Sequence, residues 1–307
     1  MRVQFNKIAC MTDMSDFSNS TLAYGAELAR AFDAQLYACH VISLPSMATY
    51  YGYTGDERSG EATRKIIDQV TDTFTKLLGE SSVTWEPLIT IGHISDEIAR
   101  LTRERDVNLV ITATHGRSGL KRLLLGSVTE RLMRILPCPL LIIGGPEEKI
   151  MQPAEGQLKF ARILVGCDFS PDSEAAFQYG LSLAQEFQAE LHLVHVIEPP
   201  VYVDLDMPGA AINTEHMETL RDRLNEKLSS LVPTEACHWC KPLISLLEGL
   251  PYEVLTHYAE RHGIDLVVLG ARGYSLVEKL FIGSTTDRVV RRTPCPVLSV
   301  RQIVETT

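Results

Sequence analysis

Residues 7–144 and 162–300 match segment by segment, so the chain must fold as two versions of one unit. Each half opens with an apolar run that ends on an acid and a serine. The runs are Ile8-Ala9-Cys10-Met11-Thr12-Asp13-Met14-Ser15 and Ile163-Leu164-Val165-Gly166-Cys167-Asp168-Phe169-Ser170. A stretch with apolar residues at helical spacing follows, including Leu22, Ala26, Ala29 and Phe32 in one half and Ala176, Gly180, Leu183 and Phe187 in the other. A second apolar run comes next, Leu36 to Ile42 against Leu191 to Ile197. Near the ends, Leu109-Val110-Ile111-Thr112-Ala113 pairs with Leu266-Val267-Val268-Leu269-Gly270, and Pro137-Cys138-Pro139 with Pro294-Cys295-Pro296.

Short apolar runs alternating with helical periods predict βαβ units and a parallel sheet covered on both faces. The expected class is α/β, with five strands in each unit. The third strand is the weakest in sequence, expected over 84–91 and 239–246, each preceded by a helix over 61–78 or 215–231. Domains are expected over 1–146 and 158–307, joined by a linker at 147–157 in a stretch that carries Gly, Pro, Glu and Lys. Stretches 43–60 and 198–213 have no clear period and follow the second strand, where a long loop serves either as a binding lid or as plain surface.

Composition narrows the partners. The 307 residues are 45% apolar and 22% charged, enough for a core in each half. No run of eighteen apolar residues occurs, so no membrane helix is expected. The opening Met1–Lys7 has no apolar h-region, so no signal peptide and a cytoplasmic location are expected. A formal net charge of −10 disfavours nucleic acid and anionic lipid. Five of the seven cysteines lie in or beside apolar runs and read as small buried hydrophobes. Cys237 and Cys240 form a lone CxxC that leads into the expected third strand. That is the wrong context for a thioredoxin-type motif, and no partner pair completes a zinc site.

In an open α/β sheet, ligands bind beyond the carboxyl ends of the strands at the switch in strand order. Asp13 and Asp168 end the first strands, and Ala113 and Gly270 end the fourth. The second half then reads Gly270-Ala271-Arg272-Gly273, nine residues, and Gly283-Ser284-Thr285-Thr286-Asp287. The first reads Ala113-Thr114-His115-Gly116, nine residues, and Gly126-Ser127-Val128-Thr129-Glu130. Ser284 and Ser127 fit helix N-caps, and Ser127 with Glu130 fits a capping box. Amides at such a helix start, with a glycine turn facing them, can cradle a polyphosphate. Ser15 and Ser170 are the better caps for the first helix, which leaves the aspartates for another task. His40 and His195 read as satisfied core histidines. Arg131, Arg134, Arg288, Arg291 and Arg292 read as a solvated helix face.

These paired loops resemble the nucleotide motif of ATP-binding universal stress proteins: GxxG, nine residues, then G and S or T. The resemblance covers nearly the whole chain, twice. It implies Rossmann-like units with strand order 3-2-1-4-5 and helices on both faces. It implies an adenine nucleotide, ATP or a relative, with magnesium compatible. By the resemblance, Asp168 and Asp13 would contact ribose or adenine, and Val196 and Val41 would line the adenine pocket. Gly270, Arg272, Gly273, Gly283, Ser284 and Thr285 would hold phosphates in the second domain. His115, Gly116, Gly126, Ser127 and Val128 would do so in the first, where Ala113 departs from the pattern. The last strands, around Leu140–Ile143 and Val297–Val300, would pair as an internal pseudo-dimer, and two chains would form a homodimer. The implied role is regulatory, in stress adaptation. The alternatives are a slow ATP hydrolase or nucleotidyl transferase, and a scaffold with a vestigial first pocket. No Walker A lysine or paired carboxylates flank the glycine loop.

Overall fold

A computed structural model describes residues 3–43, 57–79, 81–114, 125–144, 158, 160–198, 214–273 and 282–302. The first half runs β1 (Lys7–Met11), α1 (Asp16–Phe32), β2 (Gln35–Ser43), α2 (Glu57–Leu78), β3 (Trp85–Gly92), α3 (Ile94–Glu104), β4 (Leu109–Ala113), α4 (Ser127–Ile135) and β5 (Leu140–Ile143). The second half repeats it. It runs β6 (Arg162–Gly166), α5 (Pro171–Phe187), β7 (Glu190–Ile197), α6 (Thr214–Leu231), β8 (Lys241–Glu248), α7 (Pro251–His262), β9 (Leu266–Gly270), α8 (Ser284–Arg292) and β10 (Val297–Val300). Each half is a parallel sheet of order 3-2-1-4-5.

Alternation along each strand explains the two-sided core. Ile8 and Cys10 bury into one apolar layer and Ala9 and Met11 into the other; Ile163 and Val165 oppose Leu164 in the same way. The expected third strand of the second half begins two residues late, at Lys241. A 3₁₀ helix over Thr234–His238 takes up the residues before it. Helix α2 begins at Glu57, four residues before the expected start. The rest of the two aperiodic stretches, 44–56 and 199–213, lies outside the described residues, as does the expected linker.

The halves join into one ten-stranded sheet through a single antiparallel pairing. Leu141 faces Leu298 and Ile142 faces Val297 across β5 and β10. A second seam is aromatic. Phe5 packs on Phe32 at 5.1 Å and on Tyr179 of the other half at 6.0 Å. Phe32 meets Phe187, and Phe187 meets Phe160. The Val3 amide donates to Ser182 Oγ at 2.7 Å. Both apolar layers therefore draw on residues of both halves.

Candidate functional site

The site is built from the bends that follow β6 and β9. After β6 the chain turns at Asp168, and Ser170 caps α5 by accepting from the Ser173 amide, as the sequence reading expects. Ser15 caps α1 in the same way. The aspartates are less free than expected. Asp168 Oδ1 accepts from the Ser170 amide at 3.0 Å. Asp13 Oδ1 accepts from the Ser15 amide and from the hydroxyls of Ser15 and Ser18, at 3.1, 2.6 and 2.6 Å. Each aspartate thus ties its own turn. The residue after each adopts the left-handed conformation, Met14 at φ 67° and Phe169 at φ 62°. That conformation is uncommon for such side chains, and strain of this kind gathers at functional turns.

After β9 the same economy appears. The Gly283 amide donates to Ala271 O at 2.9 Å, the Ala271 amide to Val300 O at 2.7 Å, and Thr286 Oγ1 to Gly270 O at 2.7 Å. These bonds lash the start of α8 to the end of β9. Here the structure corrects two sequence expectations. Gly283 and Gly126, rather than Ser284 and Ser127, occupy the N-cap positions, and neither serine makes a side-chain cap bond. The capping box does not form, because Glu130 pairs with Arg134 at 2.6 Å. The first intrahelical bond of α8 runs from the Asp287 amide to Gly283 O. The amides of Ser284, Thr285 and Thr286 precede it and have no intrahelical acceptor.

The structure brings all eight second-half candidates to one cavity of about 400 Å³, in the size range of ligand pockets. Asp168, Val196, Gly270, Arg272, Gly273, Gly283, Ser284 and Thr285 line it. Val194, Leu255 and Leu269 add an apolar wall, and Glu198 also lines the cavity. Cys167 also lines it, with its thiol pushed up by burial and so kept neutral. A methyl group on Gly273 would fall 2.7 Å from Asp168 Oδ2, and one on Gly283 would fall 3.4 Å from the Gly273 amide nitrogen. The two glycines and the aspartate therefore converge.

Arg272 is committed elsewhere. Its Nε and Nη2 lie 3.0 and 3.3 Å from the carboxylate of Asp172, which is 4% exposed and also accepts from the Gln302 amide. Gly270 has a packing reason to be glycine. A Cβ there would sit 2.7 Å from the Ser173 amide nitrogen and 2.8 Å from Asp172 C, the backbone at the start of α5.

The first half repeats this frame. The Gly126 amide donates to Thr114 O at 3.1 Å, Thr114 N–H to Ile143 O at 2.9 Å, and Thr129 Oγ1 to Ala113 O at 3.1 Å. Asp13 is half-buried, Val41 and Ala113 are buried, Ser127 is exposed and Val128 is half-buried. His115 and Gly116 lie outside the described residues. Sequence reading missed Thr129 and Thr286. Their matching positions in the two repeats were the available signal.

His40 Nδ1 lies 2.9 Å from Thr12 O, and His195 Nδ1 lies 2.7 Å from Cys167 O, so both histidines are satisfied by strand-end carbonyls. Neither is fully buried, and His195 lines the cavity. The helix arginines have local partners: Arg131 with Asp96, Arg291 with Asp287, and Arg288 and Arg292 over the Tyr252 ring.

A sequence profile described as "Universal stress protein family" matches residues 4–144 and again 159–301. Over nearly its full length the chain is similar to Universal stress protein Slr1230 of Synechocystis sp. Identity is 25%, covering 96% of this chain and 99% of the relative. The "Universal stress protein in QAH/OAS sulfhydrylase 3'region" of Thermus aquaticus is 33% identical, over 46% of this chain and 99% of the relative. Among solved structures, a universal stress protein from Archaeoglobus fulgidus superposes with TM-score 0.68 at 20% identity, covering 97% of both chains, a likeness of fold.

Proposed function

Because the chain belongs to the universal stress protein family, we propose that it is a regulatory stress-response protein that binds an adenine nucleotide, ATP, in the crevice of its second half. The observation that carries this reading is the convergence of Gly273, Gly283 and Asp168 on one cavity, beside the acceptor-less amides at the start of α8. The amides and the helix dipole favour phosphate without a cationic side chain. Arg272 shapes the loop rather than neutralising charge, since Asp172 already holds it. Val194, Val196 and Leu255 offer the apolar face that a base needs.

The crevice of the second half takes precedence over that of the first. Its glycine pattern is complete in sequence, whereas Ala113 replaces the first glycine of the first half. Among the described residues no three His, Cys, Asp or Glu side chains cluster as a metal site, and magnesium enters this reading only as the counter-ion a nucleotide brings. Binding acts by favouring one conformation over another through differential affinity. The same reading makes the protein cytoplasmic and pairs two chains through exposed sheet edges.

Native mass spectrometry of the purified chain, followed by calorimetric titration with ATP, tests this. One nucleotide per chain, bound about tenfold or more weakly by Gly273→Ala, is the expected result. A wild-type chain that takes up neither ATP nor another adenine nucleotide overturns it.

A further inference from the structure

Outside the crevice, the chemistry-bearing feature that the proposed function leaves unused is the pair of thiols before β8. Both are free cysteines, Cys237 exposed and Cys240 half-buried. They lie at the amino end of the sheet, because β8 begins at Lys241, whereas the crevice opens at the carboxyl end.

The backbone holds the two residues together. The 3₁₀ helix Thr234–His238 runs straight into a closing turn, in which the amides of Trp239 and Cys240 both donate to Ala236 O, at 3.2 and 2.9 Å. Chain wound this tightly returns to the same side after three residues. Residues three apart then stand about 5–6 Å apart at Cα, the commonest span of a disulfide. A second sign of closeness is electrostatic. The Cys240 thiol is pushed up to about 11, first by burial and then by the neighbouring Cys237. Among the described residues no third His, Cys, Asp or Glu joins them as a metal site.

We propose that Cys237 and Cys240 are an oxidisable dithiol that hydrogen peroxide closes to an intramolecular disulfide. The exposed Cys237 thiolate attacks a peroxide oxygen, the O–O bond breaks, and hydroxide leaves as water after taking a proton. Cys237 is then a sulfenic acid. The Cys240 sulfur, giving up its proton, attacks the Cys237 sulfur; the S–O bond breaks, the S–S bond forms, and a second water departs. Two thiols lose two electrons and two protons, and one hydroperoxide is reduced. No long helix N-terminus follows the pair to stabilise a thiolate, so it is a target of oxidation rather than a disulfide-exchange catalyst. In a reducing compartment such a bond is transient and forms only under oxidant load. Trp239, between the two cysteines and packed on the core, reports closure by its fluorescence.

The test uses the full chain, reduced, exposed to hydrogen peroxide, then denatured and alkylated with iodoacetamide. Wild type is expected to lose two hydrogen atoms in intact mass and two sites of alkylation. Cys240→Ser is expected to stop at a sulfenic acid that dimedone traps on Cys237. The Cys237→Ser, Cys240→Ser double variant has neither sulfur of the pair and is expected to form no disulfide, keeping its five remaining thiols alkylatable. Wild type that gains only oxygen atoms, links between chains, or keeps both thiols alkylatable overturns the proposal. So does a double variant that closes a disulfide as fast as wild type.

Discussion

Gly273 and Asp168 stand against each other across the crevice mouth, with only 2.7 Å between Asp168 Oδ2 and the place a Gly273 side chain would occupy. The carboxylate has little room to retreat, because Oδ1 is held by the Ser170 amide. Gly273→Ala is therefore expected to push Asp168 off its turn and weaken ATP binding about tenfold or more, the equivalent of about 1.4 kcal/mol. Gly283→Ala is the informative contrast. Its added methyl meets the Gly273 nitrogen, Ala271 O and the Arg272 Cα at 3.4–3.6 Å, which is ordinary contact. Titration of both variants should place Gly283→Ala nearer wild type. The reverse order would mean that the glycines serve something other than the Asp168 approach.

Gly270 and Ala113 occupy the same position in the repeat, yet each suits only its own half. A Cβ on Gly270 would press on the Asp172–Ser173 backbone, which cannot swing aside as a side-chain tip can. Gly270→Ala is expected to cost about 1–3 kcal/mol, as overpacking does, in urea unfolding. Ala113→Gly gains no such relief and should cost about 1 kcal/mol from backbone entropy alone. Equal and small effects at both positions would show that α5 can shift freely over the end of β9.

Thr286 and Thr129 hold the two helix starts to the preceding strand ends through buried hydroxyls. Replacement by valine keeps the shape and removes the donor, leaving the carbonyl of Gly270 or Ala113 without that partner. Thr286→Val is expected to cost about 1–3 kcal/mol, the penalty of an unsatisfied buried polar group, and Thr129→Val less, because Ala113 O keeps Thr112 Oγ1 at 3.4 Å. Thr286→Val should also loosen α8 and weaken nucleotide binding. Thr129→Val should leave binding in the second half unchanged, which separates a local effect from general destabilisation.

Periodicity and repetition made the fold legible because alternation and helical spacing record burial directly. Ile8 to Met11 alternates between two apolar layers, and Leu22 to Phe32 keeps one helical face. The glycine spacing made the crevice legible for the same reason: close backbone approach leaves a mark that only glycine satisfies, as at Gly273. What the sequence hid depends on hydrogen-bond choice. Serine, threonine and glycine all suit a helix start, so reading alone chose Ser284 where Gly283 caps and Thr286 makes the bond. The left-handed turns at Met14 and Phe169 were hidden too, since neither residue type advertises that conformation. The commitment of Arg272 to Asp172 needed the third dimension, for the two are a hundred residues apart.

Acid sensitivity should trace in part to His192, at the amino end of β7 and away from the crevice. Its ring is 2% exposed, Nδ1 meets Tyr258 Oη at 3.0 Å, and Nε2 has no hydrogen-bond partner, with Glu190 Oε2 3.7 Å away. Burial lowers its pKa, and the nearby Glu190 only partly offsets that. The folded protein therefore resists a proton that the unfolded chain accepts near the ordinary value of about 6.5. The stability from keeping this ring neutral is whole above that value. It falls as the pH drops below it, and levels off once the folded form is protonated too. Urea unfolding at a series of pH values from 7.5 down to 5 should show wild type losing stability faster than His192→Gln, whose side chain does not titrate there. Parallel curves for the two proteins would assign the acid response to groups other than His192.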